Sequence, residues 1–128
     1  MSAAPSDRRY LDSHEWHRSE GELVTLGLSK FAIDELTDVT FVELPEVGKE
    51  VEAGQAIGEI ESVKATSEIY TGVGGTIAEV NQAVQDDPGL INADPWEKGW
   101  LVKIEPNDPD DLEQLMTQED YEKKYPSA

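Results

Sequence analysis

Glu59-Ile60-Glu61-Ser62-Val63-Lys64-Ala65-Thr66-Ser67-Glu68-Ile69 sets one lysine among small and acidic residues, with apolar strand-like runs beyond it on both sides. The flanking stretches are weak copies of each other. Val47-Gly48-Lys49-Glu50-Val51-Glu52-Ala53-Gly54-Gln55-Ala56-Ile57 aligns with Val73-Gly74-Gly75-Thr76-Ile77-Ala78-Glu79-Val80-Asn81-Gln82-Ala83-Val84 when one residue is inserted. Gly54 then falls against Asn81, and both residue types tolerate the positive φ that a tight turn can demand. A lysine midway between two related halves is expected at a hairpin tip, presenting its amine to another enzyme. Alternating apolar residues are ordinary in strands, and a single exposed lysine is ordinarily a solvated charge. The weight rests on spacing, symmetry and neighbours taken together.

Composition excludes several classes of function. A chain of 128 residues buries a single core, so one domain is expected. There is no cysteine, hence no disulfide and no thiol nucleophile, and a zinc site would have to draw on His14, His17 and carboxylates. His14 and His17 are three apart, which in a strand puts them on opposite faces and argues against a shared metal. No apolar run approaches a membrane span, and Met1 to Arg9 lacks the apolar core of a signal peptide, so the expectation is a cytoplasmic monomer that binds no membrane. With 28 acids against 10 bases the net charge is −18, which disfavours nucleic acid, whose binding rests on Lys and Arg. The same charge favours solubility and long-range attraction to basic partners.

Along the chain, Arg9 to Arg18 reads as a strand, Ser19-Glu20-Gly21-Glu22 as a turn, and Leu23 to Leu28 as the return strand. Ser29 suits the N-cap of a short helix through Leu36, with Phe31, Ile33 and Leu36 available to pack inward. Val39 to Leu44 is a β-branched strand stopped by Pro45. The two repeat halves add short, closely spaced strands, which points to a small barrel or sandwich. Asp86-Asp87-Pro88-Gly89 reads as a turn and Trp100 to Ile104 as a late strand. In the tail, Asp108 and Thr117 can each cap a helix, Pro109 suits a first helical position, and Pro126 ends the second. Gly72-Val73-Gly74-Gly75 lacks the strand-to-helix context of a nucleotide loop and reads as a flexible turn. Carboxylates are too frequent for any pair to stand out as an acid–base couple. No catalytic residue or metal ligand is assigned, and a non-catalytic carrier or binding role follows.

At this point the residues resemble a known family. Ser13-His14-Glu15-Trp16, Phe41 to Gly48, Glu61-Ser62-Val63-Lys64-Ala65, Val80-Asn81, Leu90-Ile91-Asn92, Asp94-Pro95-Trp96 and Gly99-Trp100 occur in the order and spacing of the glycine cleavage system H proteins, over about Tyr10 to Tyr121. The resemblance implies a mostly β, flattened barrel-sandwich hybrid with a short N-terminal helix and C-terminal capping helices. The lipoyl-type core would span about 23–104 and the helical tail about 108–125 of a single domain covering 1–128. It implies lipoate amide-linked to Lys64, with Glu61, Ser62, Val63 and Ala65 as recognition flanks and Ser13, Glu15, Phe31 and Glu68 as contacts of the arm. Its implied partners are a pyridoxal-phosphate-dependent glycine decarboxylase, a tetrahydrofolate-dependent aminomethyltransferase, dihydrolipoamide dehydrogenase and lipoate-attaching enzymes. The arm would carry an aminomethyl group between the first two, and the third would reoxidise it.

Four departures from the family pattern carry expectations. Thr71-Gly72-Val73-Gly74-Gly75 replaces a proline-containing turn and should be looser. Trp96 is a mild aromatic exchange. Thr37 stands where a glycine usually ends the first helix, and a β-branched residue there disfavours a left-handed cap. Phe31 stands where many members have a histidine. A biotin carrier, whose lysine usually lies between methionines, and the lipoyl domain of an acyltransferase, which lacks the Ser-His-Glu-Trp opening, fit less well. The alternative kept open is an H-like protein that relays lipoyl or octanoyl groups to other lipoate-dependent apoproteins.

Overall fold

Two antiparallel sheets carry the chain, and the computed structural model describes residues 7–125. Residues 1–6, part of the stretch read against a signal peptide, and Pro126, expected to end the second tail helix, therefore lie outside the described residues. The larger sheet has six strands in the order β1 (Arg9–Tyr10), β2 (Glu15–Glu20), β3 (Leu23–Leu28), β9 (Val102–Pro106), β8 (Gly75–Val80), β5 (Glu50–Val51). The smaller has three: β4 (Val39–Glu43), β6 (Ala56–Ser62) and β7 (Thr66–Tyr70), with β6 in the middle. Inward residues of both sheets, among them Leu26, Ile77 and Ile104 of the larger and Val42, Ile60 and Ile69 of the smaller, share one apolar core.

Local chemistry explains several elements. The helix α1 (Lys30–Leu36) starts where expected, with Ser29 Oγ accepting the Ala32 amide and Ala32, Ile33 and Leu36 buried. In β4 the register shifts between Val39 and Phe41, so Val39 and Val42 both point inward although they are three apart. This bulge turns Phe41 outward, where it is 50% exposed. The tail forms a 3-10 helix (Pro109–Gln114) capped by Asp108, then α4 (Gln118–Lys124) capped by Thr117 with Lys123 and Lys124 in its last turn. α4 buries Tyr121 against Tyr10, the rings stacked at 4.6 Å.

Four sequence expectations change. Arg9 to Arg18 is not one strand, because the chain turns between Tyr10 and Glu15 and His14 takes φ 81°. His14 is thus outside the strand and His17 inside it, so their spacing never placed them on two faces of one strand. The second repeat half does not continue as strand: Asn81 has φ −86° and caps α2 (Gln82–Asp86), and α3 (Gly89–Ala93) follows, whereas Gly54 does take the positive φ of 89°. Asn81 supplies this cap because its Oδ1 accepts the Ala83 amide while its Nδ2 donates to the Lys98 and Trp100 carbonyls.

The glycine-rich turn is not loose. Gly72, Gly74 and Gly75 are buried, and a Cβ on Gly75 would lie 2.1 Å from the Glu105 carbonyl oxygen. Glycine is required there by close backbone approach. Finally, Thr37 adopts φ 63°, ψ −137° despite its branched side chain. Glycine enters that region freely and threonine does not.

Candidate functional site

The hairpin of β6 and β7 ends in a tight turn built by Ser62. The Ser62 amide donates to the Ala65 carbonyl at 2.8 Å, leaving Val63 and Lys64 as the central residues. The Ser62 hydroxyl oxygen accepts the Lys64 and Ala65 amides at 3.1 and 3.0 Å, satisfying two backbone donors that the turn would otherwise leave to water. Val63, Lys64 and Ala65 are exposed, Val63 by 70%. Lys64 makes no ion pair among the described residues. Its Nζ instead donates to the Glu35 carbonyl at 3.2 Å, at the C-terminal end of α1 where carbonyl dipoles favour a cation. The Val63 amide donates to the Asp38 carbonyl at 3.1 Å. One backbone oxygen from the end of α1 and one from the loop that follows thus hold the tip.

Glu35 also lies on the rim of a cleft of about 190 Å³ between α1 and the hairpin. Its apolar wall comes from Leu28, Phe31, Ala32, Leu36 and Ile60, and its polar groups include Ser13, His14 and Ser67. Two of the expected arm contacts, Ser13 and Phe31, therefore line the cleft. Glu15 lies fully buried behind Ser13, whose hydroxyl donates to its Oε1 at 2.5 Å, while the Tyr70 amide donates to Oε2 at 2.8 Å. Burial outweighs these hydrogen bonds and pushes the Glu15 carboxyl up to about 7. Glu68 is not brought in. It alternates with Ser67 and Ile69, which face inward, and lies exposed on the outer face.

The ring of His14 closes the cleft beside Phe31, with centroids 4.7 Å apart and Tyr125 at 4.6 Å. Its Nδ1 is 2.8 Å from the Tyr121 hydroxyl, and burial lowers its pKa and favours the neutral ring. Burial among aromatic rings outweighs the opposing pull of the Asp12 and Glu35 carboxylates. His17 is fully buried under the base of the hairpin, where its Nε2 accepts the Gly72 amide at 2.9 Å. Burial brings it down to about 4.

The outer face of the smaller sheet is acidic. Register places Glu43 opposite Glu59 and Glu59 opposite Glu68, a row of exposed carboxylates across all three strands with no ion-pair partner among the described residues. Phe41, Glu61 and Thr66 form the adjacent row toward the tip. Like charges directly opposite each other oppose pairing, so this row weakens the sheet that bears it.

Sequence reading missed His14, Ser67 and Glu35 as cleft residues. Alternation along β7 carries a signal for Ser67, since Ile69 fixes which face is inward. Glu35 and Asp38 act through their backbone carbonyls, so side-chain identity carries none.

A glycine cleavage H-protein family model matches residues 8–127. The chain belongs to that family. It is 48% identical over 118 residues to the glycine cleavage system H protein of Bacillus subtilis (strain 168), covering 92% of this chain and 93% of that one. It is 49% identical over 120 residues to the H protein of Synechococcus sp. (strain RCC307), covering 94% and 92%. The crystal structure of a glycine cleavage system H protein from Mycobacterium marinum superposes with a TM-score of 0.89 at 37% identity, over 96% of this chain and 99% of that one. Family membership accounts for the barrel-sandwich architecture and favours glycine cleavage over the relay alternative. No helix among the described residues is long and apolar enough to cross a membrane.

Proposed function

We propose that the chain, acting as one unit over 1–128, is the lipoyl carrier of a glycine cleavage system, with lipoate amide-linked to Lys64 Nζ. The observation that carries this reading is the position of Lys64: central in an exposed two-strand turn, with its Nζ on the rim of an apolar cleft. The other described lysines lack that setting: Lys30, Lys103 and Lys123 are in ion pairs with acids, and Lys124 pairs with Asp12. Lys49 and Lys98 are not at a hairpin tip.

The residues around Lys64 suit such a group. Amide formation removes the lysine charge, so the arm can lie on Phe31, Leu36 and Ile60 where an ammonium head would not. A dozen or so single bonds give a reach on the order of 10–15 Å, enough to leave the cleft and enter a partner's active site. When bound, lipoate would supply a dithiolane disulfide whose S–S bond opens as one sulfur takes up a one-carbon amine, and whose dithiol form is reoxidised once that carbon has been passed on. The chain's own residues hold and shield it. Phe31 and His14 supply rings for the dithiolane and the hydrocarbon arm, and Ser13 supplies a hydroxyl. The partners on this reading are the glycine decarboxylase, the aminomethyltransferase, dihydrolipoamide dehydrogenase and the lipoate-attaching enzymes. The chain itself does no catalysis and works in the cytoplasm as a monomer.

The test is peptide mapping after treatment with a lipoate ligase, which should place the group on Lys64 alone. Lys64→Arg should fold normally and take no lipoate, since the charge stays and the acylatable amine is lost. A Lys64→Arg protein with normal turnover in the reconstituted system overturns the proposal.

A further inference from the structure

Asn92 is far from Lys64 in sequence, yet a short chain of contacts connects the two. Its side chain spans the loop between α1 and β4: Nδ2 donates to the Thr37 carbonyl at 2.7 Å, and Oδ1 accepts the Val39 amide at 2.9 Å. Between those two residues lies Asp38, whose carbonyl takes the Val63 amide next to Lys64. Two residues before Thr37 is Glu35, whose carbonyl takes Lys64 Nζ. The end of α1 and the loop after it therefore each offer one backbone oxygen to the tip, and Asn92 grips the loop on both sides of the second.

The loop needs gripping. Thr37 sits at φ 63°, ψ −137°, a region costly for a β-branched residue. Such a conformation persists only where surroundings over-determine it. Ahead of Thr37 the helix contributes one bond, the Thr37 amide to the Ile33 carbonyl at 2.9 Å. On the far side Val39 pairs with Ser62 across β4 and β6, and Asn92, anchored in α3 whose Ile91 is fully buried, adds the two bonds that flank Asp38.

We infer that Asn92 is a positioning residue for the modification of Lys64: it holds Thr37 and Asp38 in the one conformation that presents the lysine-bearing tip. This inference rests on the carrier reading for its functional consequence, but its structural part concerns the unmodified chain. Without the clamp, Thr37 relaxes toward negative φ, the Asp38 carbonyl turns away, and the tip samples conformers in which Lys64 is not presented. Apparent affinity for a modifying enzyme falls in proportion to the fraction of competent tip. Once bound, the tip has its proper shape, so kcat is kept.

The experiment uses the full chain in unmodified form. Amide hydrogen exchange at Val63 is compared with that at Gly72, whose amide is held by His17 at the base of the same hairpin. Asn92→Ala should raise the Val63 rate relative to Gly72 by roughly tenfold, as expected for loss of about two modest hydrogen bonds. KM for lipoate attachment to the protein should rise several-fold with kcat little changed. Thr37→Gly in the Asn92→Ala background should restore both, because glycine takes the Thr37 conformation without help. Asn92→Asp keeps the size and the acceptor for Val39 but loses the donor to Thr37, and serves if Asn92→Ala does not fold; it should act in the same direction. An unchanged Val63-to-Gly72 ratio overturns the inference. So does a loss that Thr37→Gly fails to rescue, since that marks general loosening of α3. A wild-type protein that accepts no lipoate at Lys64 refutes the carrier reading, and the exchange ratio and its rescue then decide the clamp alone.

Discussion

Glu15 and His17 are neighbours but one on the same strand, both fully buried, and burial moves their pKa values in opposite directions. Glu15 titrates at about 7 in the fold against an ordinary 4.5, so its neutral form is the one folding favours. The stability this gives is fully present below 4.5 and is lost as pH rises through 7. His17 titrates at about 4 against an ordinary 6.5, so the unfolded chain binds its proton first. That makes stability fall as pH drops from 6.5 toward 4. Each effect is worth about 3 kcal/mol over its full range. Between 4.5 and 6.5 the two slopes cancel. Urea unfolding of the wild type should show little net contribution from this pair across that window, while Glu15→Gln, which mimics the neutral acid, should leave a stability that climbs steadily from pH 4 to 6.5. Parallel pH profiles for the two proteins would show that Glu15 stays ionised. None of this is legible in sequence. Ser13, Glu15 and Lys64 can be picked out by type and order, but a protonation state depends on which neighbours the fold removes from water. Glu68 teaches the converse lesson: an acid at the right spacing faces outward, because Ile69 claims the inner face of β7.

The elements that were legible are those whose signals are local. α1, the 3-10 helix and α4 each begin at a Ser, Asp or Thr whose oxygen accepts an amide two or three residues on. The β6–β7 hairpin follows from a central turn flanked by alternating residues. α2 is hidden because Gln82-Ala83-Val84 copies the apolar spacing of a strand in the other repeat half, and only the Asn81 cap marks it as a helix. α3 starts after Pro88 with no side-chain cap and carries no such signal. The glycine-rich turn was misread for a related reason, since sequence cannot say whether a glycine supplies freedom or permits contact. The two kinds of glycine give an ordered prediction. At Gly75 a Cβ meets the Glu105 backbone, which β8–β9 pairing fixes in place. At Gly72 it meets chiefly the tip of the Leu115 side chain at 2.7 Å, which can move. Gly75→Ala should therefore cost about 3 kcal/mol or more, and Gly72→Ala about 1 kcal/mol. Urea midpoints at constant slope measure this, and equal losses would mean that β9 shifts to admit the methyl group.

At the scale of the whole molecule, the net charge of −18 is not evenly useful. Among the described residues a minority of the acids lie in local ion pairs, as Glu20 with Arg18, Glu97 with Arg8 and Asp34 with Lys30 do. The row Glu43, Glu59 and Glu68 has no such partner among the described residues, lies on the sheet that carries Lys64, and weakens that sheet by its own repulsion. A partner with a basic surface would relieve the repulsion on docking and be drawn to the sheet whose hairpin tip bears Lys64. Attraction of this kind acts mainly on association rate and is screened over about 8–10 Å at moderate salt. In a reconstituted glycine cleavage assay at subsaturating carrier, turnover should therefore fall as ionic strength rises from low to moderate. The combined Glu43→Gln, Glu59→Gln, Glu68→Gln variant should start slower and respond less steeply, because it has lost the charges that salt would screen. Glu22→Gln, at the β2–β3 turn of the other sheet, changes net charge by one without touching this face and serves as the control. If the triple variant kept the wild-type salt slope while Glu22→Gln also did, steering would have to come from the diffuse charge of the molecule. A flat response in every protein would leave the acidity with solubility as its only role, and docking would then depend on contacts such as the exposed Phe41 and Val63.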